Sequence, residues 1–317
     1  MKLHQDVAFC ASADGTRVAT AACGAGPVIL RAAHWLSHVT YDLDSPVWRP
    51  WVEALSRPHR YVRYDPRGCG MSERHCADLS LAAWQQDLEA VAGTIREDQF
   101  VLLGVSQGGA LAVEFAVRHP ERVSQLVLFN AYAQGGRARA RNDSETTEQH
   151  RWWGDLERET ATPEVASETL RQMQGMDVLD LCAQVHVPTL VLSCRNDARV
   201  PFEQGAKLAA AIPGARFVPL DSANHVLLPE EPAWVTFHGE LAAFLGDTAP
   251  AVPVPRQAGL TEAEAEVLCL LAEGLGDRSI ARRLGKSEKA VRNQVSVVLC
   301  KFGVQSRAQA IVRALEA

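Results

Sequence analysis

The sequence predicts an α/β domain with a mostly parallel sheet, followed by a small all-α unit. Three observations carry that prediction. Short, continuously apolar runs alternate with amphipathic helical stretches through most of the chain, the pattern of strands buried on both faces. Residues 246–257 are rich in proline and alanine and have neither helical nor strand period, so they read as a semi-stiff linker. From Gly259 onward the chain is helical in pattern and differs in charge from what precedes it.

Taken in order, the first strands are expected at 7–10, 17–22 and 28–30, the first two separated by the Asp14-Gly15 turn signal. A tryptophan-rich helix is expected at about 47–55, then a strand at 61–64 and the turn-dense loop Asp65-Pro66-Arg67-Gly68-Cys69-Gly70-Met71-Ser72. Leu81, Trp84, Leu88, Val91 and Ile95 recur at the spacing of one helix face, which predicts a helix over 81–95. Further strands are expected at 100–103, 125–129, 189–192 and 215–220, with helices at 110–119 and 231–245. A polar insertion at about 131–187 has room for only a few short helices.

At 317 residues, with 47% apolar and 22% charged side chains, the chain is long enough for one large core and a small second one. It lacks a basic start followed by an apolar run, and it lacks an apolar segment of about 18 residues, so a cytoplasmic protein without a membrane span is expected. The eight cysteines are scattered, with no Cys-x-x-Cys pair and no nearby His-x-x-x-His. That pattern speaks for reduced, packed thiols and against a zinc site; no metal and no cofactor is expected. The net charge of −6 divides unevenly, because from Gly259 onward nine basic side chains face seven acidic ones, making this tail +2 and the rest −8. Only the tail is suited to a polyanion.

Gly104-Val105-Ser106-Gln107-Gly108 joins an apolar run to a helix, so a serine stands at the apex of a strand-turn-helix unit. Flanking glycines let strand and helix approach closely and hold the hydroxyl clear of the backbone. A serine hydroxyl needs a base to take its proton, and the base needs a carboxylate to fix its tautomer. Asp197 and His225 follow Ser106 in the order Ser, Asp, His, each on a loop just past a strand. Read alone, Asp197 is equally a turn former or a helix cap, and His225 a structural histidine. Read jointly, the three form a candidate catalytic triad, with Asp221 as the alternative carboxylate.

On these residues, positions 1 to about 245 resemble an α/β-hydrolase-fold domain with a small cap insertion. Gly104-Val105-Ser106-Gln107-Gly108-Gly109 matches the nucleophile elbow, and Asp65-x-Arg67-Gly68-x-Gly70-x-Ser72 is similar to the turn that superfamily carries after its fourth strand. The resemblance implies an oxyanion hole with one donor from the Gln107 backbone N–H and a second from His34 or Trp35. Arg31-Ala32-Ala33-His34-Trp35 stands where the superfamily usually has His-Gly, so glycine's freedom is missing there; His34 and Trp35 read equally as pocket wall. Trp35, Trp152 and Trp153 are ligand-pocket candidates, the last two reading equally as residues that join the cap to the body. Arg137, Arg139 and Arg141 read as a solvated face.

In the tail, Thr261-Glu262-Ala263-Glu264 reads as a capping box, Gly285-Lys286 as a turn and Ser287 as the cap of a longer helix to about Phe302. Ala281, Gly285 and Val291 have the spacing that two closely crossing helices require. Through Leu260-Thr261-x-x-Glu264-x-Glu266-Val267-Leu268, Ile280-Ala281-x-x-Leu284, Ser287, Val291, Lys301 and Arg307-x-x-Ala310, residues 258–317 resemble the helix-turn-helix DNA-binding domain of LuxR-type regulators. By that family's docking mode, Lys289, Arg292 and Asn293 reach base edges or nearby phosphates in double-stranded DNA, and Lys301 and Arg307 meet the backbone. Ala290 and Gln294 depart from the family's usual threonine and histidine, so no base preference is carried over. A homodimer is expected, with the stretch 307–315 as a candidate dimer surface.

Together these features predict a DNA-binding transcription regulator whose first domain binds a small ester- or lactone-like ligand and is a candidate serine hydrolase. The alternative is a serine esterase or lactonase whose DNA-binding tail is secondary.

Overall fold

The computed structural model describes residues 3–135, 147–246, 261–272 and 275–302. The chain divides into two compact units, one of residues 1–219 with 223–226, the other of residues 220–222 with 227–317.

The first unit is built on an eight-stranded sheet in the order β1-β2-β4-β3-β5-β6-β7-β8. Its strands are β1 Gln5–Ala11, β2 Arg17–Cys23, β3 Val28–Arg31, β4 Arg60–Tyr64, β5 Phe100–Val105, β6 Val123–Phe129, β7 Thr189–Cys194 and β8 Arg216–Leu220. β1, β2 and β4 pair antiparallel, whereas β3 pairs parallel with β4 and β5, and β5, β6 and β7 run parallel in series. The antiparallel start follows from the Asp14-Gly15 turn, where Asp14 Oδ1 accepts from Thr16 N at 3.0 Å and Gly15 takes φ 87°. β3, β5 and β7 are buried along their whole length, which is why they appear in the sequence as unbroken apolar runs.

Helices α1 Trp48–Ser56, α2 Leu81–Gly93 and α3 Gly108–Arg118 lie between the strands in the chain. α1 buries Trp48, Trp51, Val52 and Leu55, and Trp51 meets Phe129 of β6 at a ring separation of 5.1 Å. Ser80 caps α2 through Ala83 N at 3.2 Å; the helix stops at Gly93 rather than 95 because the Thr94 hydroxyl turns back onto the Val91 carbonyl at 2.7 Å. The insertion holds α4 Thr147–Thr160, α5 Pro163–Gly175 and the short α6 Leu179–Cys182. Thr162 caps α5 and Pro163 opens it, a favoured pairing at a helix start. Gly70 N donates to Thr160 O at 2.9 Å and Arg74 Nη1 to Glu159 O at 3.0 Å, tying the end of α4 to the loop after β4. The Arg137, Arg139 and Arg141 cluster lies outside the described residues. α7 Phe202–Ala211, which the sequence pattern does not assign, buries Leu208 and follows β7.

The second unit contains α8 Pro232–Leu245, α9 Glu262–Ala272, α10 Asp277–Leu284 and α11 Glu288–Phe302. α8, which the sequence pattern assigns to residues 1–245, ends on Gly246 at φ 72°, a left-handed C-cap. Val267, Leu270, Leu271, Ile280, Ala281, Val291 and Val295 form one core, against which Val235 of α8 also packs. Linker residues 247–257 and the stretch 307–315 lie outside the described residues. Among the described residues no helix is long and apolar enough to cross a membrane.

Candidate active site

The elbow is strained where the sequence places its serine. Ser106 has φ 55°, a conformation it shares among the described non-glycine residues only with Leu36 and Asn130. Each neighbouring glycine has a steric reason to be there. A Cβ on Gly104 would lie 2.7 Å from Gly109 Cα, one on Gly108 2.7 Å from the Ala33 carbonyl oxygen, and one on Gly109 2.4 Å from Ala131 Cβ. The turn is held by Ser106 N donating to Phe129 O at 3.1 Å and Gly109 N to Ser106 O at 3.1 Å. Ser106 is half-buried at the end of β5, and the Gln107 side chain is buried at the start of α3, where helix N–H groups and dipole favour negative charge.

Asp197 and His225 are brought together. His225 Nδ1 lies 2.7 Å from Asp197 Oδ2, with the carboxylate fully buried and the imidazole 11% exposed. Asp197 Oδ1 accepts from the backbone N–H of Arg199 at 2.7 Å and of Val200 at 3.1 Å, so the turn that Asp197 forms also aims its second oxygen. A carboxylate facing Nδ1 fixes the proton there and leaves Nε2 as the basic nitrogen. Asp221 is exposed on the loop after β8, and it is Asp197 that faces His225 Nδ1.

Asn130, which no sequence motif singles out, holds three loops at this edge of the sheet. It takes φ 44° directly after β6, its Nδ2 donates to the His225 carbonyl at 2.7 Å, its Oδ1 accepts from Cys194 N at 2.7 Å, and its own N–H donates to Leu192 O at 2.9 Å. An asparagine immediately after an apolar strand is the one local sign of such a left-handed position.

His34 is buried, stacks on Trp48 at 4.4 Å and places Nδ1 2.9 Å from the Trp35 carbonyl oxygen. Burial above all, and then the Arg31 guanidinium, push its pKa well below the usual histidine value, so the ring is neutral. Arg31 itself is buried against Asp42 at 3.3 Å, and Arg63 shares the same Asp42 oxygen at 2.9 Å. The Trp35 indole N–H donates to Glu157 of α4 at 3.2 Å, linking the stretch after β3 to the cap. A cavity lined by Ala33, His34, Arg67, Trp84, Gln107 and Thr169 opens beside this stretch. Trp152 and Trp153 lie in α4, but their side chains are outside the described set. Arg67 is locked beneath the loop after β4 by a buried pair with Asp87 at 2.8 Å and by Asp14 at 2.7 Å.

In the second unit the capping box forms as the sequence predicts: Thr261 N donates to Glu264 Oε2 at 2.7 Å and Glu264 N to Thr261 Oγ1 at 3.4 Å. Gly285 makes the turn at φ 62°, and Ser287 Oγ caps α11 through Ala290 N at 3.2 Å. α11 buries Val291, Val295 and Val298 and leaves Lys289, Arg292 and Asn293 exposed together. Lys301 pairs with Glu264 at 2.6 Å, and Arg307 lies outside the described residues.

Comparison with known proteins matches residues 41–137 to the alpha/beta hydrolase fold and residues 258–314 to the bacterial regulatory proteins of the luxR family. A protein of Rhizobium rhizogenes named "Putative carbamate hydrolase RutD" is 25% identical over 229 residues, covering 62% of this chain and 87% of that protein. A hydrolase from Pseudomonas aeruginosa superposes with a TM-score of 0.64 at 24% identity, covering 76% of this chain and 98% of its own. The enol-lactonase from Burkholderia xenovorans gives a TM-score of 0.60 at 24% identity, covering 75% and 100%.

Proposed function

We propose that this chain, which joins an α/β-hydrolase domain to a LuxR-type DNA-binding domain, is a transcription regulator whose first domain binds and turns over a small ester- or lactone-like ligand at Ser106. The observation that supports the ligand chemistry most is the 2.7 Å contact of His225 Nδ1 with the buried Asp197. In this reading the domains are residues 1–245 and 258–317, with a cap at about 131–187 and a linker at 246–257.

His225 Nε2 takes the Ser106 hydroxyl proton as Oγ attacks the ligand carbonyl, and Asp197 stabilises the imidazolium that results. The tetrahedral oxyanion is met by the Gln107 backbone N–H and by a donor from the His34-Trp35 stretch. Collapse expels the alcohol, which receives the proton from His225; water then attacks the acyl-serine with His225 again as base, releasing the acid and restoring Ser106. Occupancy of the pocket favours one pairing of the DNA-binding domains in a homodimer, and hydrolysis of the ligand ends the signal. α11 enters the major groove, where Lys289, Arg292 and Asn293 read bases or hold phosphates, and the protein acts in the cytoplasm.

Two measurements test this. Selection of bound sequences from random duplex DNA at low salt, with and without simple esters and lactones, is expected to enrich a two-part site; enrichment of nothing sinks the regulator reading. Labelling with a fluorophosphonate is expected for the wild type and not for Ser106→Ala. The second reading, an enzyme first with a subsidiary tail, is favoured by the relative named as a carbamate hydrolase. Rapid Ser106-dependent ester turnover without sequence-selective DNA binding decides for it.

A further inference from the structure

The wall of the cavity beside the elbow has a chemistry that the triad does not use. The Trp35 carbonyl facing His34 Nδ1 can only accept a hydrogen bond, so Nδ1 carries the proton and Nε2 the lone pair. That Nε2 is buried with no hydrogen-bond partner among the described residues, and the same holds for Oε1 of Gln107. Their side chains belong to residues only 6% and 3% exposed, and both residues line the same cavity. Leu36, Pro66, Cys69, Trp84 and Leu111 make the rest of that lining largely apolar, and Arg67 is already engaged with Asp14 and Asp87. Two unmet acceptors in such a wall are costly until a donor reaches them. The close approach of Gly108 to the Ala33 carbonyl puts the His34 stretch in backbone contact with the elbow; Gln107 follows Ser106 directly, and His225 lies near enough to His34 for its charge to act there, so both acceptors belong to the surroundings of the candidate triad.

We infer that the ligand carries a hydrogen-bond donor, a hydroxyl or an N–H, on the atom next to its reacting carbonyl. Esters of the 2-hydroxyacyl and N–H carbamate classes are therefore preferred to plain alkyl esters and lactones. The inference rests on the ligand reading given above and narrows it.

The test compares pairs that differ only in the donor, using the full chain. 2-Hydroxyacetophenone and propiophenone exchange OH for CH3 beside a carbonyl that cannot be hydrolysed, and calorimetry reads their binding. The p-nitrophenyl esters of glycolic and propionic acid make the same exchange in a hydrolysable compound, each rate being divided by its rate with hydroxide. The hydroxyl member of each pair is expected to be favoured roughly 10-fold, and His34→Phe, checked for folding by circular dichroism, is expected to bring the ratio to within about twofold. If that variant does not fold, the wild-type ketone pair decides alone. Equal binding of the two ketones, or binding of neither, overturns the inference. Ser106-dependent ester turnover without donor preference also overturns it and leaves the triad chemistry standing. Donor preference among the ketones without ester turnover supports it and removes hydrolysis from the proposed function.

Discussion

The Asn130 amide donates to the His225 carbonyl at 2.7 Å across 95 residues of chain, while its oxygen accepts from Cys194 N at 2.7 Å. One side chain thus sets the His225 loop against the end of β7, close to where Asp197 leaves it. Asn130→Gly removes the amide but tolerates φ 44°; Asn130→Ala removes it and adds backbone strain. Both variants are expected to react with a fluorophosphonate roughly 10-fold more slowly, which is about 1.4 kcal/mol of lost positioning. Only the alanine variant should lose a further ~1 kcal/mol of stability in urea melts.

The elbow glycines make a second prediction. A Cβ on Gly109 would lie 2.4 Å from Ala131 Cβ, and neither helix α3 nor the segment after β6 can yield without moving Ser106 or Asn130. Gly109→Ala is expected to cost about 1–3 kcal/mol by overpacking. Gly108→Ala would instead push on the Ala33 carbonyl, a backbone atom of the His34 stretch. It should slow fluorophosphonate labelling more than it lowers the unfolding midpoint, because the displaced stretch, although Ala32 and Ala33 sit in the core, is the one proposed to supply the second oxyanion donor. Equal losses in both assays would count against that division.

What the sequence disclosed and what it hid follow one physical line. β3, β5 and β7 are buried on both faces, so their positions are written as local apolar runs, and the elbow is written in glycines that steric contact demands. The Thr261-Glu264 capping box and the Ser287 cap are likewise local, and both form. Asn130, by contrast, acts through partners 64 and 95 residues away, and no period in the chain marks it. The Lys301–Glu264 pair spans 37 residues and ties α11 to α9, a contact that no local pattern announces. α7 escaped because its alanine-rich sequence buries few large side chains, Leu208 among them.

The Arg67 site predicts an asymmetry between two aspartates that touch the same guanidinium. Asp87 is fully buried at 2.8 Å, whereas Asp14, at 2.7 Å, is 42% exposed. Asp87→Ala leaves a buried arginine with its inner partner gone and should cost about 3–5 kcal/mol. Asp14→Ala leaves the inner pair intact and should cost no more than about 1 kcal/mol, because water screens that partner. Arg67 holds the Asp14 carboxyl well below the usual carboxylate range, so Asp14 stays ionised throughout the comparison. Denaturant titration at neutral pH measures both.

His34 gives the stability a pH dependence whose sign is set by its burial. Its native pKa lies well below the value of about 6.5 that it has in the unfolded chain, so below pH 6.5 the unfolded state binds a proton that the native state refuses. Its contribution is full above about pH 6.5 and is lost as pH falls from there towards the native pKa, with a limiting slope of about 1.4 kcal/mol per pH unit. Burial raises the Asp65 carboxyl to about 7, which gives the opposite slope in the same window, so it is the stability of the wild type minus that of His34→Phe that should fall with the His34 slope when chemical denaturation is followed from pH 7 to pH 5. An unchanged slope in the variant would assign the dependence to other groups.

The tail makes the last prediction, which separates cations expected to meet DNA from one already paired within the protein. Lys289 and Arg292 are exposed on the same face of α11, away from Val291, Val295 and Val298, and burial of those three valines fixes which way that face turns. Lys301 instead spends its charge on Glu264, whose carboxyl that lysine, and then the Thr261 N–H, hold below its ordinary value. Binding to the selected duplex should therefore become less salt-dependent in Lys289→Ala and Arg292→Ala, the slope of log K against log salt falling by about 0.9 for each phosphate no longer neutralised. If Arg292 reads a base rather than a phosphate, its variant should lose roughly 1–3 kcal/mol on the best site and relax the preference at one position. Lys301→Met should leave the salt slope unchanged, because that charge is neutralised within the protein before DNA arrives. A reduced slope in Lys301→Met would mean that the Glu264 pair opens on binding and that the lysine serves the phosphate backbone after all.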